Sequence, residues 1–338
     1  MRNLNWTVDF AAASNADVLP ALGVSPTLEA LEISAFAHDM RRALAHRPRA
    51  IPPKYFYDAK GSALFDRICE LPEYYPTRTE LGILRDRAAD IAAHIGPDAE
   101  IVEFGAGSLT KVRLLLDALE SPRRFLPIDI SGEHLAAAAN RLRIDYPRLD
   151  VEPIVADYTR PFDLPSRIGQ GQRVGFFPGS TLGNFNPDEA LQFLTLAADL
   201  LRGGGLLLGV DLVKEPAQLH AAYNDAEGVT GAFNLNLLQR ANDELGADFE
   251  LDGFSHAAFY NAPLQRIEMH LVSRREQQVT LGRERFAFRE GETIHTENSH
   301  KFTVEGLRDL ATGAGFRPGA VWTDAERQFS VHWLLAPK

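Results

Sequence analysis

Cysteine is nearly missing from this sequence: Cys69 stands alone among 338 residues. One thiol closes no internal disulfide and builds no cysteine-only zinc site, so a secreted disulfide scaffold is excluded and a reducing compartment fits. Long apolar runs are missing too. No stretch approaches the roughly 18 uninterrupted apolar residues of a membrane helix, and Asp9 and Asn15 interrupt the apolar core that an N-terminal secretion signal needs. These absences predict a cytoplasmic protein with no membrane partner. Basic runs are equally scarce. The 35 Lys and Arg are outnumbered by 46 Asp and Glu, a formal net charge of −11, which repels phosphate backbones and argues against nucleic acid as a partner. No internal repeat or low-complexity tract occurs.

What is present is ordinary in amount and informative in order. Apolar residues are 45% and charged residues 24%, close to the folded average of about 45 to 50% and about 25%. At roughly 150 residues per domain the length predicts about two domains. Residues 1 to 30 have weak periodicity and read as a mobile arm, followed by a helix from Thr27 to about His46. Residues 51 to 80 carry Tyr55, Phe56, Tyr57, Phe65, Tyr74 and Tyr75, too many rings for a solvated linker.

From residue 81 helix and strand alternate. We expect a helix at 81 to 95, strands at 100 to 104, 125 to 130, 151 to 156, 174 to 180 and 206 to 213, and helices at 109 to 120, 132 to 146 and 187 to 201. That spacing predicts a doubly wound α/β fold with a parallel sheet covered on both faces. The tail reads as a helix at 303 to 315 and an antiparallel pair, AVWTDA and FSVHWLLAP. Between lies an insertion with a Leu and Phe stripe at 231 to 245 and short strands around LQRIEMHLVS, QVTLG and RFAFR. It is too long for one loop and reads as part of a second, α+β substrate domain. The expected division is a sheet domain from 79 to 213 and 300 to 338, and a substrate domain from 31 to 78 and 214 to 299.

Gly105 and Gly107 follow a buried strand and precede a helix, where missing side chains let a ligand approach the backbone. A dinucleotide fingerprint needs a third glycine where Thr110 stands, which disfavours a nicotinamide dehydrogenase. Glu103 at the strand end, then G-x-G, is instead the usual first motif of S-adenosylmethionine-dependent methyltransferases. Asp129, 24 residues after Gly105 and at the end of the second strand, suits both ribose hydroxyls of an adenosine. Asp157 and Tyr158 end the third strand and suit the adenine, one as acceptor from its amine and the other as a ring beside it.

Longer motifs carry a family resemblance. K-Y-F-Y-D-x-x-G-S-x-L-F at 54 to 65, L-P-E-Y-Y-P-T-R at 71 to 78, P-G-S-T-L-G-N-F at 178 to 185, A-A-Y-N-D at 221 to 225 and T-E-N-S-H-K-F at 296 to 302 resemble the L-histidine Nα-methyltransferases of ergothioneine biosynthesis. The likeness covers nearly the whole chain from about residue 35. It implies a monomer with a class I methyltransferase sheet and a second domain, converting histidine to its trimethylated betaine, hercynine, with S-adenosylmethionine. It further implies that Gly105, Lys111, Asp129, Asp157 and Tyr158 contact the cofactor, and that Gly179 and Asn184 hold the amine and carboxylate ends of the acceptor. By the same resemblance Tyr223 is a second carboxylate ligand and Glu297 and Ser299 read the imidazole. Met269 borders the ring, and Tyr57, Phe65 and Tyr74 wall the pocket, with Tyr57 a candidate proton relay.

Other readings stay open from the residues alone: a methyltransferase of the same fold acting on a different amino acid or small amine, and a non-catalytic cofactor-binding module that docks a partner. Glu297 lies between His295 and His300, yet the ten histidines are scattered and no third ligand is evident, so no metal site is expected.

Overall fold

The computed structural model describes residues 28–338 apart from Ser108 and Ser131; the arm expected over residues 1 to 30 lies outside them except for its last three positions, which open a helix. That helix, α1 (Leu28–Ala45), is followed by a two-residue strand, β1 (Arg49–Ala50). The aromatic stretch then folds as a 3-10 turn (Pro53–Phe56) and helix α2 (Ala59–Glu70). Asp58 starts α2 by accepting the Gly61 N–H at 2.6 Å, satisfying one orphan donor of the first turn. Gly61 itself is forced, since a Cβ there would lie 1.7 Å from the Phe56 carbonyl oxygen.

The single helix expected over 81 to 95 is two. α3 (Tyr75–Asp86) begins six residues early because Pro76 fits a first helical turn, and a break at Arg87 separates it from α4 (Ala88–Ile95). The alternation continues as β2 (Glu100–Phe104), α5 (Thr110–Ala118), β3 (Arg124–Asp129), α6 (Gly132–Asp145), β4 (Asp150–Val151), β5 (Ile154–Val155), β6 (Arg173–Phe177), α7 (Pro187–Leu200) and β7 (Gly205–Asp211). The strand expected over 151 to 156 is split because Pro153 has no N–H to give the ladder. Both halves still pair with β3 in parallel. The insertion supplies α8 (Pro216–Tyr223), α9 (Val229–Leu245), β8 (Phe254–Asn261), β9 (Arg266–Ser273), β10 (Gln277–Leu281), β11 (Glu284–Phe288) and β12 (Thr293–His300), and the tail supplies α10 (Val304–Gly313), β13 (Arg317–Thr323) and β14 (Phe329–Leu335).

The large sheet runs β13-β14-β7-β6-β2-β3-β4, with β5 also on β3. Its central strands are parallel and the tail hairpin closes one edge antiparallel, a doubly wound α/β sheet. Successive residues alternate faces, so Ile101, Phe125, Val174 and Leu207 pack into one core and Val102, Leu126, Leu206 and Leu208 into the other. A second sheet, β1-β12-β9-β8, with the β10-β11 hairpin apart from it, sits over a third core drawn from two distant stretches, Phe36 to Tyr75 and Leu219 to Ile294. The boundary expected at residue 79 falls inside α3, whose Tyr75 packs in this third core while Ile83 and Leu84 pack under the large sheet.

Candidate active site

Strand order reverses between β2 and β6, and a crevice forms where neighbouring connections leave in opposite directions. Four of the expected cofactor residues meet there. Gly105 and Gly107 have φ of +70° and +48°, which only glycine adopts freely. A Cβ on Gly107 would meet nothing within 4 Å, whereas one on Gly105 would crowd the Tyr158 hydroxyl at 3.3 Å. Asp129, at the end of β3, accepts the Gly107 N–H at 3.3 Å. Glu103 lies buried below the turn, its Oε2 without a partner among the described residues, and burial pushes its carboxyl well above the ordinary range. An orphaned acid beneath an open glycine turn is a place for a ligand's donor or positive charge, so these residues fit S-adenosylmethionine. Tyr158 packs edge-on against Phe104, Phe177 and Phe193. Asp157 accepts from Thr159 at 2.5 and 3.1 Å and lies 3.5 Å from Lys54 of the aromatic segment, which brings that segment over the crevice.

Lys111 reaches across from α5, and its partner escaped the sequence reading. Glu80 of α3, 1% exposed, lies 2.6 Å from the Lys111 ammonium and accepts the Gly179 N–H at 2.9 and 3.0 Å. The Gly179 amide is therefore committed to Glu80 and is not free for an acceptor. Gly209 of β7 makes the room, since a Cβ there would lie 2.0 Å from Glu80 Oε1. Gly179 and Ser180 both have left-handed φ, +81° and +58°, turning the chain into a short 3-10 segment, Thr181–Asn184. A Cβ on Gly183 would meet the His300 carbonyl at 2.8 Å, so the turn carrying Asn184 lies directly on β12. The Asn184 side chain makes no hydrogen bond to another described residue.

β12 carries the rest. Its register with β9 shifts between His295 and Glu297, a bulge at Thr296 that reverses which face later residues present. Glu297 pairs with Met269 and Ser299 with Ile267, and Met269 and Ile267 belong to the third core. Asn298, pointing the other way, donates to Asn186 at 3.3 Å. Burial lifts Glu297 to about 7, against the opposing pull of Lys301. The expected pocket walls form one chain of rings: Tyr57 on Phe65 (5.6 Å), Phe65 on Tyr74 (6.3 Å), Tyr74 on Tyr223 (6.4 Å). Phe233, absent from the expected set, closes the chain at 5.8 Å from Tyr57 and 6.0 Å from Phe65. Tyr57 is 37% exposed, at the open side; burial raises the Tyr74 phenol well above its ordinary value.

Beneath Tyr223 and Ser299 runs a buried network the sequence did not announce. Asp211, ending β7, accepts from Tyr75 (2.7 Å), Lys214 (2.5 Å) and Lys301 (3.0 Å), and its N–H donates to Ser180 Oγ at 2.9 Å. Tyr223 donates to Ser299 at 2.7 Å, so its proton is spent on the serine instead of being left for a carboxylate. Among the described residues one trio of metal-ligating type comes together, Glu268, His270 and His295, with ligand atoms within 4.8 Å. It lies on the face of β12 opposite Glu297, and Arg266 and Asn261 already hold its carboxylate, each at 2.9 Å. No helix among the described residues is long and apolar enough to cross a membrane.

Residues 36–336 match the family described as histidine-specific, S-adenosylmethionine-dependent methyltransferases. The chain is 43% identical over 303 residues to the histidine N-alpha-methyltransferase of Mycolicibacterium smegmatis, covering 88% of this chain and 94% of that protein. To the histidine N-alpha-methyltransferase of Mycobacterium tuberculosis it is 41% identical over 304 residues, again 88% and 94%. It is also 30% identical over 308 residues to ergothioneine biosynthesis protein 1 of Neurospora crassa, covering 85% of this chain and 33% of that longer protein. Among solved structures, the mitomycin 7-O-methyltransferase is similar at 13% identity and TM-score 0.46, covering 91% of this chain and 70% of that one.

Proposed function

The chain belongs to the histidine-specific, S-adenosylmethionine-dependent methyltransferase family, and from that premise we infer that it trimethylates the α-amino group of L-histidine to hercynine, a step of ergothioneine biosynthesis. What supports the histidine reading most is Glu297: a buried carboxylate, turned inward by a bulge beside Ser299, in a pocket walled by Tyr57, Phe65, Tyr74 and Phe233. A buried acceptor favours a side chain that brings an N–H and penalises one that leaves it unpaired.

When bound, S-adenosylmethionine supplies an electrophilic methyl on a positively charged sulfur. Gly105 and Gly107 would admit the nucleoside to the backbone, Asp129 would take its ribose hydroxyls, Asp157 and Tyr158 would hold its base, and Lys111 and Glu103 would hold its amino acid end. In the acceptor pocket Glu297 accepts the imidazole N–H, Ser299 meets the other ring nitrogen, and Met269 borders the ring. Asn184, on the turn against β12, takes the carboxylate end, with Tyr223 beside it. A peptide's α-amino group titrates at about 7.7 to 8.0 and that of a free amino acid higher, and a positive sulfonium beside it would favour the neutral amine, so no strong base is needed. Tyr57, at the open side, relays the amine's proton outward. The rings exclude water and accept the growing fixed positive charge on their faces.

The same reading divides the chain into a methyltransferase domain, 79–213 with 300–338, and an acceptor domain, 31–78 with 214–299, working as a cytoplasmic monomer on free histidine. Incubation with S-adenosylmethionine and each of the 20 amino acids tests it by mass. Histidine alone gaining three methyl groups is the expected result; another amino acid gaining them preferentially replaces the substrate, and none gaining any favours a binding module.

A further inference from the structure

Lys301 follows β12 directly, and its side chain is 0% exposed. An ammonium has three donors and no acceptor. Here each donor has a partner: Asp211 Oδ2 at 3.0 Å, Ser299 Oγ at 2.7 Å and Tyr223 Oη at 3.2 Å. Burial alone would lower this ammonium, but Tyr223 and Asp211 outweigh it and raise it above its ordinary value, so it stays charged. Tyr223 takes one bond from Lys301 and gives its own proton to Ser299. Ser299 Oγ thus accepts twice, from Lys301 and from Tyr223, which fills both of its lone pairs. The only group it has left to offer is its own proton.

We propose that Lys301 is a positioning residue for acceptor choice: its buried ammonium makes Ser299 an obligate hydrogen-bond donor, so the pocket pairs one fixed donor, Ser299, with one fixed acceptor, Glu297. A neutral imidazole, with one lone-pair nitrogen and one N–H, satisfies both. An indole or pyrrole ring brings an N–H and no lone pair, and leaves Ser299 unpaired. This deepens the histidine reading above and rests on it. Asp211 does not depend on Lys301 alone, since Tyr75 and Lys214 still hold its carboxylate, so the pocket has support when Lys301 is replaced.

The experiment is a double-mutant cycle in the full-length protein with Lys301→Met, Ser299→Ala and the pair, measuring histidine kcat and KM and the affinity for S-adenosylhomocysteine. Expected is a fall in kcat/KM of about tenfold or more for each single variant, carried mainly by KM, with the double variant within about threefold of either. Product affinity stays within about twofold. Additive losses, or a loss of product affinity as large as that of histidine, overturn the proposal and leave Lys301 a structural cation. Should Lys301→Met fail to fold, the wild-type protein decides the question with two histidine analogues. A pyrrolylalanine, which keeps the N–H for Glu297 and has no lone pair for Ser299, is expected to lose about tenfold or more in kcat/KM against histidine, and 4-thiazolylalanine, which keeps the lone pair, to lose only what Glu297 supplies; a pyrrolylalanine used as well as histidine overturns it. Wild-type protein that does not methylate histidine at all defeats the substrate reading itself, whereas histidine turnover with an additive cycle defeats only the role of Lys301.

Discussion

At the scale of single residues, Glu297 is held by two opposing requirements. Its carboxyl is pushed by burial from 4.5 to about 7, so the folded chain carries more protons there than the unfolded chain between those values. Stability contributed by this site therefore falls as pH rises through about 4.5 to 7, and above that window the ligand-free protein carries a penalty on the order of 3 kcal/mol. Reading an imidazole N–H needs the ionised form, so histidine kcat/KM is expected to rise with pH through about 7. In Glu297→Gln the unfolding free energy, followed by urea titration, should lose that fall with pH, while histidine kcat/KM drops by about tenfold or more and its Glu297-dependent limb flattens. A Gln variant whose stability tracks that of the wild type at every pH would show the carboxylate to be unstrained. Glu80 gives the second case. With one oxygen replaced by an amide, Glu80→Gln opposes either the Gly179 N–H or Lys111, and affinity for S-adenosylmethionine measured by calorimetry should weaken by about tenfold or more. Glu297 was legible because it stands in a long motif; Glu80 was not. A glutamate on a helix ordinarily reads as solvated, and its burial depends on the absent side chain of Gly209, 129 positions away.

At the scale of elements, what was legible follows from hydrogen bonding and pattern. β2, β3, β6 and β7 are buried on both faces and read as apolar runs, and the turn after β2 carries its glycines at the positions where φ is positive. β12 carries the motif TENSHKF yet does not read as a strand, because its inward side chains Glu297 and Ser299 are polar and its bulge breaks alternation. β8 does not read as a strand for a related reason: it has only two buried positions, Phe254 and Ala258. The pairing register is also what aims the pocket. Thr296 is the residue the bulge leaves without an opposite number, so removing it should close the regular ladder with Glu297 still opposite Met269 and Ser299 still opposite Ile267, both facing the rings. The deletion variant is expected to bind S-adenosylhomocysteine about as well as the wild type and to keep histidine methylation within about tenfold. Methylation lost below detection would mean that the local bend of the bulge, and not the pairing register alone, aims Glu297.

At the scale of the molecule, two chain stretches separated by the whole parallel sheet close one core, and that much followed from motif order: aromatics before residue 80 and an insertion after 213. How the halves lock together did not, because the lock consists of isolated charged residues that no periodicity marks. Asp211 at the end of β7 gathers Tyr75 from α3, Lys214, and Lys301 from the end of β12, and through its N–H reaches Ser180 beside the acceptor turn. α3 runs through both cores. A buried network of this kind couples its members strongly, and losing Asp211, the one carboxylate in it, leaves both the Lys214 and the Lys301 ammonium without a counter-charge. The two halves should accordingly unfold together. Among the described residues both tryptophans, Trp322 and Trp333, lie in the large-sheet core, whereas circular dichroism sees every helix and strand. In urea the fluorescence and dichroism transitions of the wild type are expected to coincide, and S-adenosylhomocysteine should shift both by the same amount. Asp211→Asn should separate them, with the fluorescence transition following the dichroism loss from the acceptor half. Transitions already separate in the wild type would mean that the cores are joined only by the chain, and that the acceptor pocket is assembled by the ligand instead of by the fold.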